Sequence, residues 1–218
     1  IVKTYVVGDQ EIEVLKWISL EIQDGEFVAI MWPSGSWKST LMNIIWMLDY
    51  PTSWEYALDE ENVESLSDDE QAEIRWQKIW FVFQAYNLIP RLDVTKQVAL
   101  PLIYQWISKK QREDRAQQAL EKLWLWERIH SKPKELSWWQ QQRVAIARAI
   151  VINPSLILAD EPTWALDTKT SAEVMDIFTN LNKEGKTVVM ITHEPDIAKY
   201  AQRTIHIKDW IILDNNQN

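Results

Sequence analysis

Short apolar runs separated by polar or helical stretches recur along the chain. Residues 26–31, 79–83, 155–159 and 186–192 have the length of buried strands, and each is followed by polar sequence or by a helical pattern. Parallel strands covered on both faces have this pattern, because their side chains are apolar on both sides. The alternation predicts an α/β domain with a mostly parallel sheet.

Helical patterns fill the intervals between these runs. Residues 38–48 have apolar residues at helical spacing, and Ser67 with Glu70 forms a capping-box sequence that opens a short helix. From 92 to 133 the sequence is helical and charged, with an amphipathic helix predicted over 108–123 and no predicted strand.

These patterns suggest a division into a core and an insertion. We interpret residues 87–135 as a helical insertion into a core formed by 1–86 and 136–218. Near the end, residues 203–213 alternate as a terminal hairpin would, and 215–218 are predicted to be a frayed tail.

The composition and net charge of the chain argue against several classes of protein. The chain of 218 residues has a formal net charge of −9, which argues against a nucleic-acid partner, because phosphate contacts need a basic face. The absence of cysteine excludes disulfides and thiolate metal sites and fits a cytoplasmic protein. No apolar run approaches the roughly 18 residues of a membrane span. The first residues show no signal-peptide pattern, and we expect the start to be truncated.

A phosphate-binding sequence lies between the first predicted buried strand and the following helix. Residues 31–40 match the frame G-x-x-x-x-G-K-[ST], with tryptophan at both glycine positions. In such a loop, backbone N–H groups surround the phosphates, lysine contacts them, and a hydroxyl reaches Mg²⁺. The residues expected to contact a nucleotide are Trp32, Pro33, Ser34, Gly35, Ser36, Trp37, Lys38, Ser39 and Thr40.

A second motif is the acidic pair that ends the apolar run 155–159. Asp160 is a candidate ligand for Mg²⁺, and Glu161 is a candidate for polarising the water that attacks a γ-phosphate. A solvated strand end is the simpler interpretation of such a pair in isolation. Together with the phosphate-binding frame, the pair favours nucleotide hydrolysis.

Several further segments resemble the ABC (ATP-binding cassette) ATPases. Residues 136–149 resemble the signature segment of that family, and 161–167 resemble the segment that follows its acidic pair. Residues 3–5, 81–84 and 191–194 resemble its adenine-stacking, glutamine and switch-histidine segments. The resemblance covers nearly the whole chain. Residues 27–31, 41–45, 48–53 and 100–102 are most similar to the lipoprotein-release and macrolide-export type.

The resemblance implies a fold and a set of residue roles. The implied fold is an α/β P-loop (RecA-like) core with a mostly parallel sheet, an antiparallel β subdomain and an inserted helical subdomain. The implied ligands are ATP and Mg²⁺, with Ser39, Gln84 and Asp160 at the metal and Glu161, His193 and Gln84 in catalysis. Tyr5 would stack on adenine. Ser137, Trp138, Trp139 and Gln140, with Asp167, would close the nucleotide site of a second copy.

The resemblance also implies partners. Two copies would pair head to tail around ATP, and the helical insertion would pass the motion to a membrane permease on the cytoplasmic face of a prokaryotic membrane. No nucleic-acid partner is expected. Two alternatives remain: a nucleotide-dead scaffold that docks to a permease, and an ATPase of the DNA-repair type, which usually contains long coiled coils that are absent from this sequence.

Tryptophan stands where the resemblance implies glycine. The chain has 4 glycines and 14 tryptophans, whereas average usage of about 7% would give roughly fifteen glycines. Positive φ at a residue with a Cβ costs about 1–2 kcal/mol, and overpacking about 1–3 kcal/mol per site. The tryptophans at glycine positions are Trp32, Trp37, Trp46, Trp54, Trp80, Trp126, Trp138, Trp139, Trp164 and Trp210.

These substitutions bear directly on activity. An indole at Trp37 would project into the phosphate site, and Trp138 with Trp139 would fill the gap where the γ-phosphate of a second copy docks. We predict that this chain binds ATP poorly and hardly hydrolyses it. The alternative is that the tryptophans replace glycines of an ordinary ATPase.

Overall fold

The computed structural model describes residues 1–7, 10–32, 38–59, 61–208 and 211–214. The strands are β1 Lys3–Val7, β2 Gln10–Leu15, β3 Phe27–Met31, β4 Ala57–Leu58, β5 Glu61–Asn62, β6 Ile79–Val82, β7 Leu156–Asp160, β8 Thr187–Thr192, β9 Arg203–Lys208 and β10 Ile211–Asp214. The α-helices are α1 Lys38–Ile45, α2 Asp68–Lys78, α3 Val94–Ala99, α4 Lys109–Lys122, α5 Trp138–Ile150, α6 Thr168–Lys183 and α7 Pro195–Ala198.

A six-stranded sheet forms the centre of the fold, in the order β10-β9-β3-β8-β7-β6. The strands from β9 to β6 are parallel, and β10 pairs antiparallel with β9. The four predicted strand runs are β3, β6, β7 and β8, and the predicted terminal hairpin is β9 with β10. The strand predictions are confirmed to within one or two residues.

Two hydrophobic cores cover the two faces of this sheet. In β8, Val188 and Met190 belong to one core, whereas Val189 and Ile191 belong to the other. All six residues of β8 are buried. This alternation explains why the strand sequence is apolar throughout, since each face packs against other elements.

Two small antiparallel pairs stand apart from the central sheet. β1 pairs with β2, and β4 pairs with β5. An isolated β-bridge between Val2 and Ser53 is one of the contacts that connect the first residues to the chain after α1. These pairs agree with the predicted antiparallel β subdomain.

The stretch from 92 to 133 is helical, as predicted, and none of its residues lies in a strand. Asp93 caps α3 by accepting a hydrogen bond from the backbone N–H of Lys96, and Ser108 caps α4 in the same way through Gln111. Buried residues Val98 and Leu120 place both helices against the core that contains Val144 of α5. The predicted boundaries of 87–135 as a separate unit stay a prediction.

Local helix signals also agree with the sequence. Ser67 and Glu70 form the expected capping box at the start of α2. The predicted frayed tail, 215–218, lies outside the described residues. Among the residues that are described, no helix is long and apolar enough to cross a membrane.

The backbone conformation corrects the expectation of strain at the tryptophans in implied glycine positions. None of the eight that are described has positive φ, so the part of that expectation that concerns backbone angles is wrong for them, whereas overpacking stays a prediction; Trp37 and Trp210 lie outside the described residues. Positive φ occurs instead at Trp17, Trp106 and Trp124, for which the sequence suggested nothing.

Candidate active site

Three neighbouring parallel strands bring several of the predicted site residues to one edge of the sheet. Lys38 begins the helix that follows β3, Asp160 ends β7, and His193 follows β8 directly. Because β8 lies between β3 and β7, these residues meet at the carboxyl ends of adjacent strands. Ligands of open α/β sheets bind at this edge.

Glu161 lies at the centre of this group. Its carboxylate Oε1 forms an ion pair with Nζ of Lys38 and lies 3.2 Å from Nδ1 of His193. Its backbone N–H donates a hydrogen bond of 2.9 Å to the carbonyl of Ile191 in β8. Glu161 is 7% exposed, which is unusual for a glutamate side chain. Its φ is 42°, a left-handed backbone angle that is uncommon outside glycine.

The two adjacent carboxylates have opposite electrostatic environments. Burial raises the pKa of Asp160, and the charge of Lys38 only partly opposes this effect. Burial also acts to raise the pKa of Glu161, but the hydrogen bond and charge of Lys38, followed by His193, bring that pKa below its usual range. The two carboxylates can therefore take different roles. The charged form of Glu161 is already stabilised, whereas the charged form of Asp160 would be stabilised by a nearby cation.

Asp160 is suited to a cation. Its Oδ1 is buried and has no hydrogen-bond partner among the described residues. Within the same ranges, no cluster of three or more histidine, aspartate or glutamate residues could hold a metal by itself. Mg²⁺ commonly takes one or two protein ligands and fills its shell with water and phosphate oxygens, so the site fits that ion.

The phosphate-binding segment is described only at its two ends. Trp32 is 4% exposed and belongs to the core that contains Leu41, whereas Pro33, Ser34, Gly35, Ser36 and Trp37 lie outside the described residues. Ser39 is exposed at the start of α1, and Thr40 is buried. The hydroxyl of Ser39 is therefore accessible to a ligand.

Gln84 and its neighbours are held by contacts from other elements. The indole Nε1 of Trp164 donates to the carbonyl of Gln84 at 2.9 Å. Two residues later, the guanidinium of Arg148 in α5 donates to the carbonyls of Tyr86 and Asn87, both at 2.8 Å. These bonds connect the glutamine segment to the segment after the acidic pair and to α5.

Sequence reasoning missed the role of Arg148. Its guanidinium is buried without a carboxylate partner among the described residues, and burial lowers its pKa from the ordinary value. The available signal was a cation within the otherwise apolar face of α5, between Ala147 and Ala149. Such a residue is unexpected in a core unless it meets backbone carbonyls or an acid.

Tyr5 forms polar contacts at the edge of the first hairpin. Its hydroxyl donates to Asp49 at 2.6 Å, and Nζ of Lys3 lies 2.6 Å from the other carboxylate oxygen of Asp49. The same Nζ lies 4.7 Å from the centre of the Tyr5 ring. The hydroxyl is thus tied to the chain after α1, and the adenine-stacking role stays a prediction.

The signature segment forms the start of α5. Ser137 caps the helix, and its backbone N–H donates to the side-chain oxygen of Gln140 at 3.0 Å. Trp138 is 64% exposed, whereas Trp139 stacks under the guanidinium of Arg143 at 4.6 Å. The Trp138 indole is therefore open to contact by another molecule, and a role of this segment between two copies stays a prediction.

Asp167 caps α6 in the same manner. Its carboxylate accepts hydrogen bonds from the backbone N–H and the hydroxyl of Thr170, at 3.0 and 2.8 Å, and these bonds lower its pKa. The side chain is exposed at the end of the segment that contains Trp164. Its contacts are therefore local, and a role between two copies stays a prediction.

Comparison with known proteins agrees with this geometry. The family model described as ABC transporter matches residues 15–164. An uncharacterized ABC transporter ATP-binding protein, YvrO of Bacillus subtilis, is 54% identical over 97% of this chain and 93% of its own length. The macrolide export ATP-binding/permease protein MacB of Bdellovibrio bacteriovorus is 49% identical over 99% of this chain, which spans 33% of MacB.

A solved structure matches both the fold and the sequence. The dimeric structure of MJ0796, described as a bacterial ABC transporter cassette, superposes with a TM-score of 0.88 and 47% identity over 97% of this chain and 94% of that one. A second MJ0796 structure, with the same statistics, is of a post-hydrolysis state bound to ADP and Pi. On the family match, the close relatives and this common fold, the chain belongs to the ABC transporter family as an ATP-binding domain.

Proposed function

We propose that this chain is the ATP-binding and ATP-hydrolysing subunit that powers transport by a membrane permease. The observation that carries the proposal is the convergence of Lys38, Asp160, Glu161 and His193 at the carboxyl edge of three adjacent strands. Phosphoryl transfer depends mainly on positioning and charge stabilisation. A lysine, two carboxylates with opposite pKa shifts and a histidine are the groups that this chemistry needs.

Each residue has a proposed role. Lys38 leaves Glu161 to bind the β- and γ-phosphates, and the freed carboxylate of Glu161 accepts a proton from the attacking water. Asp160, Ser39 and Gln84 would hold Mg²⁺, which neutralises phosphate charge when bound. His193 donates a hydrogen bond to the γ-phosphate, and Tyr5 stacks on adenine.

We propose that two copies pair around ATP. The solved MJ0796 cassettes are dimeric, which supports this arrangement. Ser137, Trp138, Trp139 and Gln140, at the exposed start of α5, would face the nucleotide of the other copy, with Asp167 at the seam. The unit of 87–135 would transmit closure to the permease at the cytoplasmic face of the membrane.

The proposal is tested by measuring ATP binding and hydrolysis. The intact mass of the protein sample is checked first, so that its sequence is certain. Glu161→Gln should lower hydrolysis by about 10²-fold or more while ATP binding and the ATP-bound dimer persist. Glu184→Gln is the matched control, since Glu184 is exposed and its contact with Lys122 at 3.8 Å lies on the surface. Equal loss in both variants would contradict the proposed role of Glu161.

A nucleotide-dead scaffold is the second candidate. The observation that favours it is the tryptophan at both glycine positions of the phosphate-binding motif, Trp32 and Trp37. A scaffold would bind the permease and show neither ATP-dependent dimerisation nor hydrolysis. Size measurement with and without ATP distinguishes the two candidates.

A further inference from the structure

Trp124 occupies a helix-terminal position that favours glycine. After α4, its backbone N–H donates to the carbonyl of Glu121 at 3.0 Å, and the N–H of Leu125 donates to the carbonyl of Leu120 at 2.9 Å. These two bonds define a Schellman motif, in which the residue at the Trp124 position adopts left-handed backbone angles. The φ of Trp124 is 56°.

The same motif at the end of α6 contains glycine. The N–H of Gly185 donates to the carbonyl of Asn182 at 2.8 Å, and the N–H of Lys186 donates to the carbonyl of Leu181 at 3.1 Å. The φ of Gly185 is 91°. The chain therefore builds one local structure twice, with glycine in one copy and tryptophan in the other.

Trp17 and Trp106 also have positive φ, at 52° and 55°. Their side chains are 80% and 96% exposed, and that of Trp124 is 65% exposed. The Arg143 guanidinium lies 5.1 Å from the centre of the Trp124 ring, an exposed contact that Trp124→Ala also removes. With all three indoles exposed, packing does little to hold these backbones in the left-handed region. A bulky residue is rare there, whereas glycine enters it without a steric penalty.

The other residues with positive φ have a local explanation. Asp59, Asn87 and Asn153 belong to the residue types that tolerate left-handed angles. The remaining three, Met47, Tyr86 and Glu161, are at most 7% exposed, so buried side chains fix them in place. Among the described residues with positive φ, only the tryptophans are neither tolerant nor buried.

Three further observations also favour glycine over tryptophan in this chain. Trp32 and Trp37 stand at the glycine positions of the phosphate-binding motif. The indole N–H of Trp80 is buried and has no hydrogen-bond partner in the described part of the chain, although buried tryptophan normally finds one. The 4 glycines and 14 tryptophans together also come near the roughly 7% that glycine alone contributes to an average protein.

We propose that the protein made in its cell of origin has glycine at positions 17, 32, 37, 106 and 124, because a codon translated as tryptophan in this chain is decoded there as glycine. Separate substitutions would each destabilise the protein, and selection removes such changes. A difference in decoding acts on all positions at once. The part of the proposal that concerns positions 32 and 37 rests on the proposed function, because glycine at these positions would let the backbone approach a bound phosphate closely.

Peptide mass spectrometry of the protein purified from its source cells tests the proposal. Trypsin releases residues 123–128, which follow Lys122 and end at Arg128. We expect the fragment-ion series of this peptide to show glycine at position 124; fragmentation is needed because the peptide also contains Trp126. Tryptophan at that position would overturn the proposal. The peptide 170–183 contains no tryptophan and serves as the internal control.

Thermal unfolding of recombinant variants tests the backbone argument separately. Trp124→Gly and Trp106→Gly should each raise Tm by roughly 2–4 °C. Trp124→Ala removes the same indole but keeps the Cβ, so it should give less of this gain. Trp76→Gly is the opposite control, because Trp76 lies inside α2, where glycine costs about 1 kcal/mol relative to a good helix former, and the change should lower Tm. An unchanged or lower Tm for both Trp124→Gly and Trp106→Gly would contradict the backbone argument.

Failure of this inference is distinguishable from failure of the proposed function. Glycine in the peptide without ATP hydrolysis by the purified protein would overturn the proposed function and leave the inference standing. Tryptophan in the peptide together with ATP hydrolysis would overturn the inference and leave the proposed function standing.

Discussion

Lys38 and Glu161 form an ion pair across the carboxyl edge of the sheet, although 123 residues separate them in the chain. The Lys38 side chain is 19% exposed and that of Glu161 is 8% exposed, so the pair is largely shielded from solvent. With the proposed role of Lys38, a bound phosphate would compete with Glu161 for the same ammonium group. Nucleotide binding would then release the carboxylate that the proposed chemistry requires.

Removing the charge of Asp160 and removing the charge of Glu161 should change the stability of the protein in opposite directions. Glu161→Gln removes a hydrogen bond to a charged group and should lower stability at neutral pH by about 1–2 kcal/mol. Asp160→Asn removes a buried charge with no partner at Oδ1 among the described residues and should raise Tm at neutral pH by roughly 2–4 °C. Calorimetry of both variants at neutral and acidic pH checks these signs.

The pH dependence follows from the two pKa shifts. The folded pKa of Glu161 is lowered, so its stabilisation is present above the ordinary value of 4.5 and is lost as pH falls through the folded pKa. The folded pKa of Asp160 is raised, so its destabilisation grows as pH rises above 3.8. The difference in stability between each variant and the parent protein should therefore shrink in strong acid. A difference for Asp160→Asn that persisted there would contradict this account.

Ser137→Ala should separate a helix cap from a role between two copies. Ser137 and Ser67 cap α5 and α2 through the same capping box, so either change to alanine should cost about 1 kcal/mol. Only Ser137→Ala should also weaken the ATP-dependent dimer, because only α5 starts with the signature segment. Sedimentation with ATP measures this, and equal dimerisation by both variants would limit Ser137 to capping.

Tyr5 variants test adenine stacking. Tyr5→Phe removes the hydrogen bond to Asp49 but keeps the ring, so ATP affinity should change little. Tyr5→Ala removes the ring and should weaken ATP binding by about 1–3 kcal/mol, the usual range for a base on an aromatic side chain. Calorimetric titration measures both affinities. A similar loss in the two variants would assign Tyr5 to the Asp49 contact instead.

Arg148→Met should destabilise the fold strongly. The change leaves the carbonyls of Tyr86 and Asn87 without their donors, which we expect to cost about 2 kcal/mol or more. Arg115→Met is the control, because Arg115 is exposed and its loss should stay within about 0.5 kcal/mol. Urea unfolding measures both, and a small effect of Arg148→Met would show that water replaces the guanidinium.

Sequence alone predicted the parallel strands well, because residues such as Val188 and Val189 are buried on opposite faces and so form uninterrupted apolar runs. It also placed Lys38, Asp160 and Glu161 at the ends of elements that meet. The ion pair between Lys38 and Glu161 was beyond sequence reasoning, since no local pattern reports a contact over such a separation.

Backbone conformation was the least predictable part. Trp124 stands where a glycine would have marked the end of α4, so the usual signal for a helix terminus was missing. The resemblance drew attention to other tryptophans, and the described ones among those have ordinary φ. Arg148 was overlooked because its partners are carbonyls, which any residue supplies.

The position of β8 between β3 and β7 has a consequence for how the molecule is made. β8 spans Thr187–Thr192 and is therefore synthesised after both strands that it separates: long after β3, which ends at Met31, and shortly after β7, which ends at Asp160. During translation, the lysine emerges long before β8, and the acidic pair shortly before it. Pairings between distant segments form slowly. The carboxyl edge of the sheet should thus be among the last features to assemble on the ribosome.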